Sequence, residues 1–219
     1  MNEGLNLELL DAVFKGKIKK VKSILDKGLT MDEANVWGKK AMKFAIKRGQ
    51  MEIMQLLYER GFYTADSGVF ASIFFNDFNT LKKLLETESS DCVRNALFIA
   101  VSIDKCEIVK ILLNEYHVDF NSRNKDRKTP LDVAKENEQS ETYQFLSKYE
   151  YNNNQLIRAC KCLKTEQVKM YIKKGANVNF KDEDGTEIIT HAKKAFCKDN
   201  NAIEQRREII NILLAHGAK

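Results

Sequence analysis

No stretch of the sequence approaches the roughly 18–20 uncharged apolar residues that a helix needs to cross a bilayer, which excludes a membrane-spanning helix. The start, Met1 to Leu10, has neither a basic cluster nor an apolar run of secretory length, so no leader is expected. There is no glycine-rich phosphate loop followed by Lys and Ser or Thr, and no Gly-x-Ser-x-Gly elbow. Histidine is scarce: His117, His191 and His216 fall far apart and read as capping or surface residues rather than ligands. The five cysteines, Cys92, Cys106, Cys160, Cys162 and Cys197, are an odd count and read as reduced thiols of a cytoplasmic protein. Cys160-Lys-Cys162 is one residue too tight for a Cys-x-x-Cys site and has no second pair, so Cys160 reads as core. Asp182-Glu-Asp184 lacks the downstream ligands of a calcium loop and reads as a solvated turn. No catalytic residue, cofactor or metal is expected. Proline is nearly absent as well, with Pro130 alone, in a Lys- and Asn-rich chain whose composition suggests an AT-rich genome.

What is present is ordinary soluble composition, 43% hydrophobic and 31% charged, which argues against disorder. A net charge of +5 is mild and by itself demands neither nucleic acid nor membrane. The informative feature is a recurring phrase. An apolar anchor stands at Leu9, Met42, Val69, Leu97, Leu131, Leu156 and Ile189. Three residues on comes a small one: Ala12, Ala45, Ser72, Ala100, Ala134, Ala159 and Ala192. Further apolar residues follow twelve and fifteen after the anchor, as at Val21 and Ile24 or Met54 and Leu57, and late in the last copy, at Ile210 and Leu213.

Each copy holds two short helical patterns. The small residue lets the two helices approach closely. Gly16, Gly49 and Asn76 suit a tight turn of positive φ between them, and Gly28, Gly61 and Gly175 suit the end of a second helix. Pro130 after Thr129 suits a helix start, with Thr129 as its cap. Neither helix buries its apolar face alone, so the units are expected to fold only as a stack.

These residues resemble the ankyrin repeat. Lys128-Thr-Pro-Leu131-Asp-Val-Ala134 looks like that family's helix-opening motif, Gly175 to Gly185 like its hairpin segment, and Gly49 to Leu57 and Glu107 to Leu113 like its second helix. The resemblance runs from about Leu5 to Ala218. It implies an all-α ankyrin-repeat solenoid of about seven helix-turn-helix units with short or missing β-hairpin fingers, one domain over 1–219. The units run approximately 5–36, 37–63, 64–91, 92–125, 126–150, 151–183 and 184–219.

The departures localise the expectation. The links before the third and fourth units are about six residues short, with Leu85 to Cys92 a turn without a full finger, and the link around Tyr149 to Asn154 is short too. The turn glycine is replaced at Asp104, Glu138, Leu163 and Phe196. The seventh unit has about nine extra residues near Phe196 to Gln205, expected to lengthen its first helix and loop.

In ankyrin-like stacks the partner is held by the hairpin tips and the exposed face of the first helices. Carried onto this chain, the tips are Val36, Trp37 and Lys39, then Tyr63, Thr64 and Asp66, then Asp91, Cys92 and Arg94, then Lys125, Asp126 and Lys128. The helix ends are Lys47, Arg48, Phe74, Phe75, Ser102, Ile103, Glu136 and Asn137. Aromatic residues at Trp37, Tyr63, Phe74 and Phe75 and a basic cluster at Lys39, Lys40, Lys43, Lys47 and Arg48 are of the types enriched at binding hot spots. The partner-binding set is therefore Trp37, Lys39, Lys47, Arg48, Tyr63, Phe74, Phe75, Arg94, Ile103 and Lys125. Phe70, Phe74, Phe75 and Phe78 have a second reading, as filling for space left by missing fingers.

The resemblance implies a non-enzymatic protein–protein interaction module or scaffold, expected to be monomeric; the aromatic patch rimmed by lysines suits an acidic and apolar peptide or protein, and the AT-rich composition with divergent repeats extends the reading to a bacterial effector acting inside a host cell. The alternatives are binding of nucleic acid or an anionic surface through the basic N-terminal units, diluted by Asp26, Asp32, Glu33 and Glu52, and an enzyme with an unrecognised site.

Overall fold

The computed structural model describes residues 2–29, 36–86, 89–138 and 140–218, without the side chains of Asn2, Glu3, Val36 and Asn137. Among the described residues the regular structure is helical, with a single antiparallel bridge between Lys181 and Glu187. The chain divides into two compact units, Met1–Cys92 and Val93–Lys219.

The first unit holds three helix pairs: α1 (Asn2–Phe14) with α2 (Ile18–Asp26), α3 (Val36–Lys47) with α4 (Met51–Glu59), and α5 (Ala65–Phe75) with α6 (Phe78–Glu86). The anchors Leu9, Met42 and Val69 and the small residues Ala12, Ala45 and Ser72 are buried, as the repeat predicts. The small residue has a second task. Its carbonyl accepts the N–H five positions on, from Lys17 to Ala12, Gln50 to Ala45 and Asp77 to Ser72, at 2.8–2.9 Å. That bond closes the end of the first helix and requires a left-handed residue before it: Gly16, Gly49 and Asn76 have φ of 66°, 64° and 57°. Arg60 ties the second pair to the first, donating to the Leu25 carbonyl at the end of α2 at 3.0 Å and pairing with Asp26 at 2.7 Å.

The second unit continues the pattern. The boundary falls in the first turn of α7 (Ser90–Ser102), which pairs with α8 (Cys106–Asn114). The replaced turn glycines at Asp104 and Leu163 take the same left-handed conformation, φ 54° and 55°, and the same closing bonds form to Ala100 and Ala159. A finger loop follows α8, its tip held by Asn124, whose Oδ1 accepts the N–H groups of Asp126 and Lys128 at 2.9 and 3.0 Å. Thr129 then caps α9 (Pro130–Ala134) in a capping box with Asp132, and a 3-10 turn, Lys135–Asn137, extends it.

Here the structure departs from the expected boundary at 150/151. There is no link at Tyr149–Asn154. The second helix of the fifth copy and the first helix of the sixth are one helix, α10 (Glu141–Lys161). With no finger at that junction, the flanking fingers meet directly: Asn121 Nδ2 donates to the Lys181 carbonyl at 2.8 Å, and Phe120 and Phe180 pack at 5.7 Å. Tyr149 fills the gap against both rings, at 5.5 and 6.1 Å. Asn153, fully buried, accepts the Asn177 N–H at 2.7 Å, supplying a backbone donor with the partner it needs away from water. The array ends with α11 (Thr165–Lys173), the second finger, α12 (Ile188–Lys194) and α13 (Asn200–Ala215).

The extra residues of the seventh copy lengthen the second helix, not the first. α12 has 7 residues and α13 has 16, opened by Asp199, whose Oδ1 accepts the Ala202 N–H at 2.8 Å. The buried apolar residue before Leu213 is Ile209, and Ile210 is half-buried.

Candidate interaction surface

The amino-terminal unit gathers the aromatic residues. Tyr58, Tyr63, Phe70, Phe74 and Phe75 are each half-buried and touch in sequence, with ring centroids 5.2–6.2 Å apart. Tyr63 lies across α5 at Gly68, where an added Cβ would stand 2.6 Å from its ring. The Tyr58 hydroxyl donates to Asp77 at 2.9 Å, and Asp77 in turn caps α6 by accepting the Thr80 N–H at 3.0 Å. That helix-end donor, with the Tyr58 hydroxyl, holds the Asp77 carboxyl below its ordinary range, and burial pushes the Tyr58 hydroxyl up. Of the phenylalanines with two readings, Phe70, Phe74 and Phe75 therefore pack and present surface at once, while Phe78 opens α6 at 40% exposure.

Several residues placed at finger tips by sequence stand elsewhere. Trp37 and Lys39 are in the first turn of α3, and Val36 is there too without a described side chain. Trp37 is half-buried, with Lys40 Nζ 4.7 Å from its ring centroid. Thr64 is the N-cap of α5 and Asp66 sits in its first turn. Asp91, Cys92 and Arg94 lie in the first turns of α7, because α6 ends at Glu86 and leaves no room for a finger; Thr87 and Glu88 lie outside the described residues, as do Asp32 and Glu33. Lys125 is at a tip and exposed. Of the helix ends, Lys47 and Arg48 are exposed and Ile103 is half-buried in the turn after α7.

Sequence reasoning missed the part of α1 that belongs to this surface. Leu7 is 52% exposed and Phe14 48%, and Leu10 between them is half-buried. Phe14 packs edge-on to Phe44 of α3 at 6.0 Å. The Arg48 guanidinium lies 4.1 Å over the Phe14 ring and donates to the Phe14 carbonyl at 3.1 Å. The signal was available: Leu10, Lys43 and Phe70 each follow an anchor by one residue, and Phe14, Lys47 and Phe74 by five.

In the second unit a concavity of about 550 Å³ lies between the first finger, α9 and α10, lined by Phe120, Arg123, Asp132, Tyr143, Glu150 and Glu183 among others. It is polar, and burial raises the Glu150 carboxyl above its ordinary range. His191 and Asp182, 2.7 Å apart, join the second finger to α12; Asp182 also accepts the Asp184 and Thr186 N–H groups, so it builds the turn. Cys160 is fully buried, its thiol pushed up to about 12 by burial, and Cys162 is exposed. No group of three metal-ligating side chains occurs among the described residues.

Helix pairs closed by the same turn, stacked through the same anchors and joined in places by finger loops define an all-α repeat protein. The family model described as ankyrin repeats, in three copies, matches residues 68–157. By structure it is similar to an ankyrin repeat domain from Acinetobacter baumannii AYE, at 21% identity over 96% of this chain and 98% of that one, with a TM-score of 0.40. It is also similar to the human ASB11 ankyrin repeat domain, at 17% identity over 96% and 98%, with a TM-score of 0.38. No curated protein matches the sequence. Ankyrin repeats generally serve as protein–protein interaction modules. Among the described residues no helix is long and apolar enough to cross a membrane.

Proposed function

We propose that the chain, 1–219, is a single repeat array that binds another protein, and that the first-helix side of its amino-terminal unit is the principal contact. The observation that carries this reading is the set of half-exposed aromatic residues in Met1–Cys92, Trp37, Tyr63, Phe70, Phe74 and Phe75, beside the exposed Lys40, Lys43, Lys47 and Arg48. Aromatic side chains offer large contact area with few rotatable bonds, and arginine and aromatics dominate binding hot spots. Arg94, Ile103 and Lys125, in the second unit, are further proposed contacts, with Lys125 on a finger tip. Lys39 belongs to the same first turn as Trp37.

The test is affinity capture with the wild-type chain and with a Trp37→Ala/Phe74→Ala double variant whose helical circular dichroism matches wild type. A partner held by the wild type and lost by the variant supports the reading. A partner retained equally by both overturns the assignment of these residues.

A further inference from the structure

Several lysines pair with a carboxylate three or four residues away in the chain: Lys15 with Asp11, Lys110 with Glu107, Lys135 with Asp132 and Lys169 with Glu166. The α3 sequence, Val36–Lys47, contains no acidic residue. Lys43 and Lys47 are exposed, one helical turn apart, and have no ion-pair or hydrogen-bond partner among the described residues. Like charges four residues apart on a helix repel, so this face is relieved by an incoming anion.

The lysines are bordered by apolar surface that is already fixed in place. On α1, the helix packed against α3, Leu7 and Phe14 are exposed. Phe14 is held by Phe44 on one side and by Arg48 on the other. Its ring thus needs no ordering on binding, which is where association loses much of its free energy. Arg48 is spent on that hold, which leaves Lys43 and Lys47 as the cations for a ligand. Packed helix axes stand about 8–10 Å apart and an extended chain advances about 3.3 Å per residue, so adjacent lanes on α1 and α3 are about three residues apart along a bound peptide.

Resting on the protein-binding reading above, we infer that the α1–α3 face receives an acidic segment of a partner protein in which a large apolar residue lies about three positions from a pair of carboxylates. The apolar residue sits against Leu7 and Phe14 and the carboxylates over Lys43 and Lys47. On the other side of α1, α2 is tied to it by the ion pair of Lys20 with Glu8.

The experiment uses the full chain and a fluorescein-labelled twelve-residue peptide with an Asp/Glu pair three residues from a Leu-Phe pair. Its controls are the same peptide with Leu-Phe changed to Ser-Ser, the same with the acids changed to Lys, a twenty-nucleotide single-stranded DNA and phosphatidylserine vesicles. Lys43→Glu/Lys47→Glu and Leu7→Ser, all at exposed positions, are each expected to lower affinity for the first peptide at least tenfold, and both control peptides to bind at least tenfold more weakly. Equal binding of the Ser-Ser peptide, or DNA or vesicle binding as tight as the first peptide's, overturns the inference in favour of a general anion surface. A displayed random peptide library separates the two readings. Selected peptides that lack the acidic and apolar pairing and bind the Lys43→Glu/Lys47→Glu variant equally overturn the inference and leave protein binding standing. A library that yields no binder, with the first peptide also unbound, overturns both.

Discussion

At the scale of single residues, two side chains in the amino-terminal unit carry opposite lessons. Gly68 lies in the interior of α5, where alanine is normally preferred by about 1 kcal/mol. The Tyr63 ring and Leu84 leave no space for a Cβ, with contacts of 2.6 and 3.1 Å. Gly68→Ala is therefore expected to destabilise the protein by about 1–3 kcal/mol, the usual range for overpacking, seen as a lower urea midpoint. Tyr63→Ala in the same chain should recover part of the loss, and a Gly68→Ala chain as stable as wild type contradicts the packing. Asp77 gives a pH dependence. Its folded carboxyl is held below its ordinary value, chiefly by the Thr80 N–H it accepts. The stability it contributes is thus fully present above the unfolded carboxylate range, near pH 4, and is lost as pH falls through the depressed folded value. Asp77→Ala, expected to cost about 0.5–2 kcal/mol at neutral pH as a lost helix cap, should differ less from wild type as the pH drops below about 4. A gap constant from pH 7 to pH 3 argues against the charged cap.

At the scale of elements, the seven anchors and their small partners were legible in the sequence because burial and turn closure both act at fixed offsets. Gly16, Gly49 and Asn76 announced their left-handed turns, and Thr129-Pro130 its helix start. What the sequence hid has a physical cause in each case. The Tyr149–Asn154 stretch is polar enough to read as a link, yet Asn152 and Asn153 are buried because they supply hydrogen bonds that a finger would otherwise make. Trp37 and Arg94 stand on helices rather than tips, in α3 and α7, and no offset from the anchor reveals that. The surface on α1 was legible only by comparing equivalent positions across copies. A consequence follows for α10. Asn153→Ala keeps the helix, since alanine is the better helix former, but leaves the half-buried Asn177 N–H without its acceptor. The expected cost is about 1–3 kcal/mol, with faster amide exchange at Asn177 and Asn179 than along α11. Unchanged exchange at these amides shows that Asn153 does not hold the finger.

At the scale of the whole molecule, the question is how far folding cooperates between Met1–Cys92 and Val93–Lys219. Stacked repeats draw stability from each unit and its neighbours, so damage weakens most where it falls. Ala100 is fully buried in α7, and its carbonyl closes the turn to Lys105. Ala100→Asp places an unpaired carboxylate in that helix contact, a change that costs several kcal/mol unless the group is neutralised or the contact opens. The sequence supplies a reporter for the outcome, because its one tryptophan, Trp37, belongs to the first unit. Circular dichroism reads helix in both units, while Trp37 fluorescence reads only the first. In the wild type the two signals are expected to melt together within a few degrees. In Ala100→Asp the dichroism should lose amplitude at lower temperature, with the Trp37 transition displaced less. The matching change Ala45→Asp, at the equivalent buried position of α3, should reverse the order and move the fluorescence transition first. If both variants shift both signals equally, the array unfolds as one cooperative block. If Ala100→Asp melts like the wild type by both signals, the stacking register itself is wrong.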